Sequence, residues 1–336
     1  MFFSIIIPVQ KINNYIFETC EKLKGLNCKN FEVLILPDEI GDEKEELEKR
    51  LGARIIASNK VSPAVKRDTG ANYAKGDVLA FIDDDAYPRK DWLQNAVRHF
   101  DAPDIAAVGG PAVTPLSDSF LQRVSGAVFL SSIGGGFPER YWPTGTIREV
   151  DDWPSVNLLV RKDMFEKVGG FNSAYWPGED TKLCLDIIKA GGKIIYDPNV
   201  FVWHHRRGGI INHLRQTGSY GLHRGFFAKR FPETSRRLKY FIPSFFVIFL
   251  SVGMSSFFTN NYFFSRFFYA GMGVYTIALI IALFQIQGKE KNLAVSSVSL
   301  FYIFLTHIWY GIRFLQGYLF TKELKSELRK SKDESL

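Results

Sequence analysis

Cysteine is scarce in this chain of 336 residues: there are three, Cys20, Cys28 and Cys184, and no CxxC pair. An odd number without that spacing argues against a disulfide framework and a thiolate zinc site, and points to a reducing compartment. Glycine is absent from SIIIPVQKINN, residues 4–14, so the GxGxxG turn of a dinucleotide-binding oxidoreductase is missing. GxxxxGKS and GxxxxGKT are missing too, which excludes a P-loop enzyme, and no Gly-rich basic loop of the nucleotidyltransferase kind is present. Phe2–Val9 is too short for the apolar core of a signal peptide, has no basic residue ahead of it and leads to no small-residue cleavage site. It is expected to be a strand. Charge is lacking over residues 241–320, where five charged side chains accompany 15 of the 30 Phe.

What charge there is divides unevenly. Residues 1–203 hold 24 basic and 29 acidic side chains, residues 204–240 nine and one, and residues 241–336 nine and five. The net charge of +7 therefore belongs to an acidic half, a basic collar and an apolar tail, not to a uniformly basic nucleic-acid binder. No nucleic-acid partner is expected.

SIIIPV, FEVLIL (31–36) and VLAFI (78–82) are short apolar runs, the first two ended by Pro8 and Pro37-Asp38, and the segment between the last two, Asp42–Leu51, is helical in character. Strands buried on both faces and alternating with helices predict a parallel sheet covered by helices. Ligands bind such sheets at the carboxyl ends of the strands, which gathers Pro8, Val9, Asp38 and Asp83-Asp84-Asp85 on one edge. Helices are predicted at Arg161–Val168 and Glu179–Ala190, with two strands in KIIYDPNVFVWHH (193–205).

The tail offers Phe241–Phe258, Phe267–Gln287 and Ala294–Phe320 as membrane segments; the first two are 18 and 21 residues without a charge, near the ~20 that span a hydrocarbon core of ~30 Å. The third carries His307 and Arg313, so it spans, tilts or lies in the interface. A buried helical hairpin is the alternative to all three. Basic residues before the first segment place the preceding half on the cytoplasmic face of the cell membrane. The basic run Lys322–Lys332 conflicts with three crossings, so two or three are expected. The resulting division is 1–205 catalytic, 206–240 basic collar, 241–320 membrane domain and 321–336 charged tail.

FIDDDAYP (81–88) delivers three adjacent carboxylates at a strand end. Their mutual repulsion is best relieved by a hard divalent cation, Mg²⁺ or Mn²⁺, that also meets substrate phosphates; a solvated acidic turn is the plain alternative. WPGED (176–180) sets Glu179 and Asp180 at a helix N-terminus, which favours their ionised forms and keeps a general base available. A favourable first-turn acid would look the same. His204-His205 ends the last strand, where an imidazole reaches the metal or simply forms a basic rim.

These pieces, with AVKRDTGANYAKGDVLAFIDDDAYP (64–88), SVNLLVRKDMFEKVGGF (155–171) and PGEDTKLCLDIIKAGGKIIYDPNVFVWHH (177–205), resemble the family 2 glycosyltransferases over about residues 3–230. The resemblance implies an α/β GT-A fold, a Rossmann-like, mostly parallel sheet flanked by helices, here followed by transmembrane helices. It also implies a nucleotide-sugar donor. Asp38 looks like the acid that meets the nucleotide base, with Pro8-Val9 beneath it. Asp83 and Asp85 match the outer carboxylates of the DxD motif, Asp85 as direct metal ligand and Asp83 as ribose or metal contact, and Asp84 lies between them. Asp180 matches the catalytic base, with Glu179 its neighbour, and Asn157 falls where the family lines the donor-sugar pocket. Arg67 stands where the family has an Arg-Asn pair, followed here by Asp68, and Gln10 replaces a common Asn. Arg215 and Arg224 fall where membrane-associated members carry arginines near the donor diphosphate, and the rest of that segment, with Phe226, Phe227 and Phe231, reads as an interfacial helix on anionic lipid. QxxRW is absent, which argues against a processive polymerase. The acid pair favours an inverting transfer to a hydroxyl, on a lipid-linked or free saccharide. Alternatives are a polyprenyl-phosphate acceptor and an inactive membrane scaffold that binds nucleotide sugars.

Overall fold

A computed structural model describes residues 1–42, 44–171, 175, 177–258 and 262–324. Trp176 of the WPGED motif and residues 325–336 of the charged tail lie outside them. Two compact units emerge, and they cut the chain differently from its composition: one contains Met1–Val113 and Trp142–His205, the other Thr114–Tyr141 and Arg206–Glu323.

In the first unit the apolar runs become strands because β-branched side chains pack well on both faces of a covered sheet. The order is β1 (Phe3–Pro8), α1 (Asn14–Lys24), β2 (Phe31–Leu36), α2 (Lys44–Leu51), β3 (Arg54–Ile55), α3 (Pro63–Tyr73), β4 (Val78–Ile82), β5 (Ala86–Pro88), α4 (Trp92–Val97), β6 (Ile105–Gly109) and β7 (Ala112–Val113). After α5 (Phe120–Ala127), which belongs to the second unit, come β8 (Arg148–Val150), β9 (Asn157–Arg161), α6 (Lys162–Lys167), α7 (Glu179–Lys189), β10 (Lys193–Tyr196) and β11 (Val202–His204). Eight strands make one sheet in the order β3-β2-β1-β4-β9-β6-β10-β8, and β5-β11-β7 make a small second sheet.

The expected parallel sheet is present as β3-β2-β1-β4, but β9 runs antiparallel between β4 and β6, and β8 is antiparallel at the edge. Phe3, Ile5 and Ile7 pack with Ile16 and Leu23 of α1 and Trp92 of α4 on one face. Ile6, Leu34 and Leu36 pack with Ala64 of α3, Phe165 of α6 and Leu183 of α7 on the other. Pro8 lies opposite Leu36 and Ile6 opposite Phe81, so the chain leaves β1, β2 and β4 at one edge, the one at which open α/β sheets generally bind ligands.

The second unit adds α8 (Ile210–Arg230), α9 (Pro232–Ser235), α10 (Leu238–Phe258), α11 (Tyr262–Glu290) and α12 (Leu293–Leu315), which continues as a π-helical turn over Gln316–Phe320. Among the described residues three helices, α10, α11 and α12 with its π turn, are long and apolar enough to cross a membrane. The expectation that Phe226 and Phe227 lie on lipid is corrected: both are buried. Glycines at 218, 221 and 225 let α12 close on α8, and a Cβ at Gly221 would stand 2.6 Å from the Tyr310 carbonyl oxygen. Arg224 is buried as well; Nη1 donates to Ser235 Oγ (3.2 Å) and the guanidinium lies over the Tyr240 ring (4.9 Å).

Candidate active site

Each acidic motif is placed by the end of a regular element. β4 stops at Ile82 and releases Asp83, Asp84 and Asp85. β11 pairs with β5 so that His204 lies opposite Ala86, and the His205 amide donates to the Asp85 carbonyl (2.9 Å). The small sheet thus carries an imidazole across 119 residues of sequence to the acids: His204 Nε2 is 3.0 Å from Asp85 Oδ1. Ligand atoms of Asp83, Asp85 and His204 all lie within 4.8 Å of one another. Two carboxylates and an imidazole at that spacing fit a divalent cation with oxygen and nitrogen ligands. Asp84 is pushed up to about 7 by burial first, then by Asp85 and Asp83, and it accepts from Asn13 Nδ2 (3.2 Å). Crowded negative charge of this kind is what a cation relieves.

Arg67, buried on α3, joins the two acidic motifs. Its Nη2 donates to Asp83 Oδ1 (2.6 Å) and its Nη1 to Glu179 Oε1 (3.2 Å). Burial alone would lower its pKa, but Asp83 and Glu179 raise it, with a smaller contribution from Asp180. Glu179 opens α7 after Gly178, whose φ of +122° suits glycine. Burial, then Asp180, raises the Glu179 carboxyl against the pull of Arg67. Asp180 is half-buried in the first turn of α7, and its Oδ1 accepts from the Thr181 amide (2.7 Å).

A second ion pair sits under the ends of β1 and β2. Lys66, buried on α3, pairs with the Asp38 carboxylate and donates to the carbonyl oxygens of Val9 (2.5 Å) and Leu36 (3.3 Å). The Val9 amide donates to Leu36 O (3.1 Å), so Pro8, Val9 and Asp38 form one floor. Sequence reasoning missed Lys66; its only signal was a cation beside Arg67 in a helix whose other inward residues are small.

Asn157 differs from its expected place in a sugar pocket. It is fully buried, its Oδ1 accepts from Trp92 Nε1 (2.9 Å), and its Nδ2 donates to the carbonyls of Pro111 (3.2 Å) and Val200 (2.8 Å). Its amide therefore holds the start of β9 to the strand ends around it. Asp68, where an Asn was expected, accepts from the Phe171 amide (2.9 Å). His205 turns away from the acids: its Nε2 is 3.0 Å from Glu18 Oε2 and its ring stacks on Tyr15. Arg215 belongs to the second unit, exposed on α8.

Residues 4–168 match the family described as Glycosyl transferase family 2. A pre-mycofactocin glycosyltransferase of Mycobacterium tuberculosis is 30% identical over 177 residues, which are 52% of this chain and 37% of that protein. The chain thus spans little more than a third of that relative. In Methanococcus voltae, a dolichyl N-acetyl-alpha-D-glucosaminyl phosphate 3-beta-D-2,3-diacetamido-2,3-dideoxy-beta-D-glucuronosyltransferase is 24% identical over 68% of this chain and 74% of its own. A glucosyl-dolichyl phosphate glucuronosyltransferase of Haloferax volcanii is 24% identical over 60% of this chain and 68% of its own. Among solved structures, a mannosyltransferase from Pyrobaculum calidifontis in complex with GDP-Man and Mn2+ covers 96% of this chain and 88% of its own, with a TM-score of 0.54 and 17% identity. The first unit has a GT-A-like fold, followed in the chain by long apolar helices.

Proposed function

From a chain that belongs to glycosyltransferase family 2, we propose an inverting transferase that moves a sugar from a nucleotide-sugar donor to a hydroxyl of a lipid-linked saccharide. The observation that carries the reading is Arg67, which ties Asp83 of the DxD motif to Glu179 of the ED motif and so sets a diphosphate site beside a candidate base. Asp38, with Lys66 beneath it and Pro8-Val9 alongside, is assigned to the nucleotide base. Asp83, Asp85 and His204 would hold Mg²⁺ or Mn²⁺, with Asp84 between the two carboxylates in sequence. Such a cation, when bound, neutralises charge that develops on the leaving diphosphate.

The residues of the chain supply the rest. Arg67 is fixed before substrate arrives, so its charge needs no reorganisation as the leaving group departs. Asp180 takes the proton of the attacking hydroxyl, and Glu179, held by Arg67 and the Gly178 amide (2.9 Å), keeps the first turn of α7 in place. A single displacement inverts the anomeric carbon. Asn157 acts by positioning β9. Two archaeal relatives whose names specify a dolichyl-linked sugar support a lipid-linked acceptor, as do the apolar helices.

The test pairs two variants in a screen of nucleotide sugars for nucleoside diphosphate release, with and without membrane lipid extract. Asp180→Asn should cut turnover by ~10²–10⁴-fold, the span of general-base catalysis, while metal-dependent nucleotide binding persists; Asp85→Ala should weaken that binding. Unchanged turnover in Asp180→Asn would remove the base. A polyprenyl phosphate, already ionised near neutral pH, needs no base, so full transfer to it by that variant would favour that acceptor. Nucleotide binding without transfer from any donor would identify a scaffold.

A further inference from the structure

The third apolar helix has the length and hydropathy of a membrane span, yet its contacts give it another course. We propose that α12 does not cross the membrane: it lies within the leaflet that receives the first turn of α10, its outer face against lipid, and the chain crosses twice, through α10 and α11. The hairpin sets the frame. Phe246 stacks on Tyr275 at 4.5 Å and Phe249 on Phe268 at 5.4 Å, so α10 and α11 run antiparallel. Leu238 at the start of α10 and Glu290 at the end of α11 therefore face one side. Arg236, Arg237 and Lys239 mark that boundary around the start of α10, as do Lys289, Glu290 and Lys291 around the end of α11.

From that same side α12 begins, with Ser296 Oγ donating to Gln287 Oε1 (2.9 Å). Its 23 residues rise ~35 Å at ~1.5 Å per residue, so a crossing would carry Phe314 and Tyr318 to the far side. They pack instead on Phe241, in the first turn of α10, with ring centroids at 4.7 and 5.5 Å. Ser244 Oγ also donates to the Gly311 carbonyl (3.0 Å). Both ends of α12 thus lie at one boundary.

Its neighbour gives the same depth. α12 runs parallel to α8, from Tyr302 and Thr306 against His213 to Phe314 against Gly225. α8 exposes Asn212, Arg215, Lys229 and Arg230, a surface that hydrocarbon does not accept. A helix seated along it shares its level at the interface. Leu293, Val298, Phe301, Ile312 and Phe320 remain exposed on α12 and its π turn, the apolar face that an in-plane helix sinks ~5–10 Å into the acyl boundary. This course returns Lys322 to the side of Arg236 and Arg237 and removes the conflict between a third crossing and a basic tail.

Side-specific labelling decides it. Full-length protein with Cys28→Ser, Cys20 and Cys184 being buried, receives one of Arg230→Cys, Asn260→Cys or Lys322→Cys. A membrane-impermeant maleimide is then applied to sealed vesicles of uniform orientation, before and after permeabilisation. Positions 230 and 322 should label from one side and 260 from the other. Labelling of 322 with 260 would mean that α12 crosses, and labelling of all three from one side would remove the hairpin; either overturns the proposal. Ser331→Cys reports the tail independently if Lys322→Cys does not fold. The readout involves no catalysis, so it stands apart from the test of glycosyl transfer.

Discussion

Asp68 follows Arg67 on α3 with its carboxylate largely buried, and burial, the largest cause, pushes it up to about 6 against the Phe171 amide and Arg67. A folded-state pKa above the ordinary carboxylate value means that the folded chain holds this proton more tightly than the unfolded one. The stabilisation is complete below about 3.8 and is lost as pH rises through about 6. Asp68→Asn keeps an oxygen for the Phe171 amide and removes the charge. Its melting temperature in detergent should exceed that of the native chain at pH 7.5, and the difference should shrink towards pH 4; an equal difference at both pH values would show that Asp68 does not titrate there. The residue was visible in sequence only as a departure from an Arg-Asn pair. Its contact, 103 residues away, was not, because hydrogen bonds across such separations follow from the path of the chain. Lys66 and Asn157 teach the same thing in opposite directions: a cation in a helix proved to underlie Asp38, and an amide expected to meet sugar proved to be occupied by Trp92, Pro111 and Val200.

Helices and strands were the most legible level. β1, β2, β4 and α7 appear close to where apolar runs and first-turn acids indicated them, since period and capping are local properties. The antiparallel entry of β9 was not legible, because strand direction depends on where an excursion of more than 70 residues brings the chain back. Helix pairing was hidden as well. Gly225 is unremarkable in sequence, yet a Cβ there would collide with the Phe314 carbonyl oxygen and lie 2.9 Å from Tyr318 N. Gly225→Ala should force α8 and α12 apart, costing ~1–3 kcal/mol as overpacking does, and lower the melting temperature by several degrees. Gly273, with nothing within 4 Å, is the control: Gly273→Ala should leave melting unchanged or raise it slightly, since alanine favours helix. Equal effects at both positions would mean that close approach is not what Gly225 provides.

For the molecule as a whole, charge segregates with apolar content. The acidic residues 1–203 contain the carboxylates of the candidate metal site, and the nine basic residues of 204–240 lead into helices that bury little of their surface: 17% of the apolar window of α10 and 6% of that of α11. Side chains that exposed and that apolar require lipid. Alkaline carbonate and high salt should therefore both leave the full chain in the membrane pellet, whereas release by salt would reduce the attachment to the basic collar alone.

By itself the sequence determined that Phe3–Pro8, Phe31–Leu36 and Val78–Ile82 are strands, that carboxylates cluster at the end of the last of them and which stretches favour lipid, because these rest on residue type and short-range spacing. Tertiary structure alone decided that Arg67 joins Asp83 to Glu179, that His204 comes beside Asp85, and that Phe314 of α12 packs on Phe241 at the start of α10. Those outcomes depend on contacts between distant segments, which exist only once the chain has chosen among many packings of the same local elements.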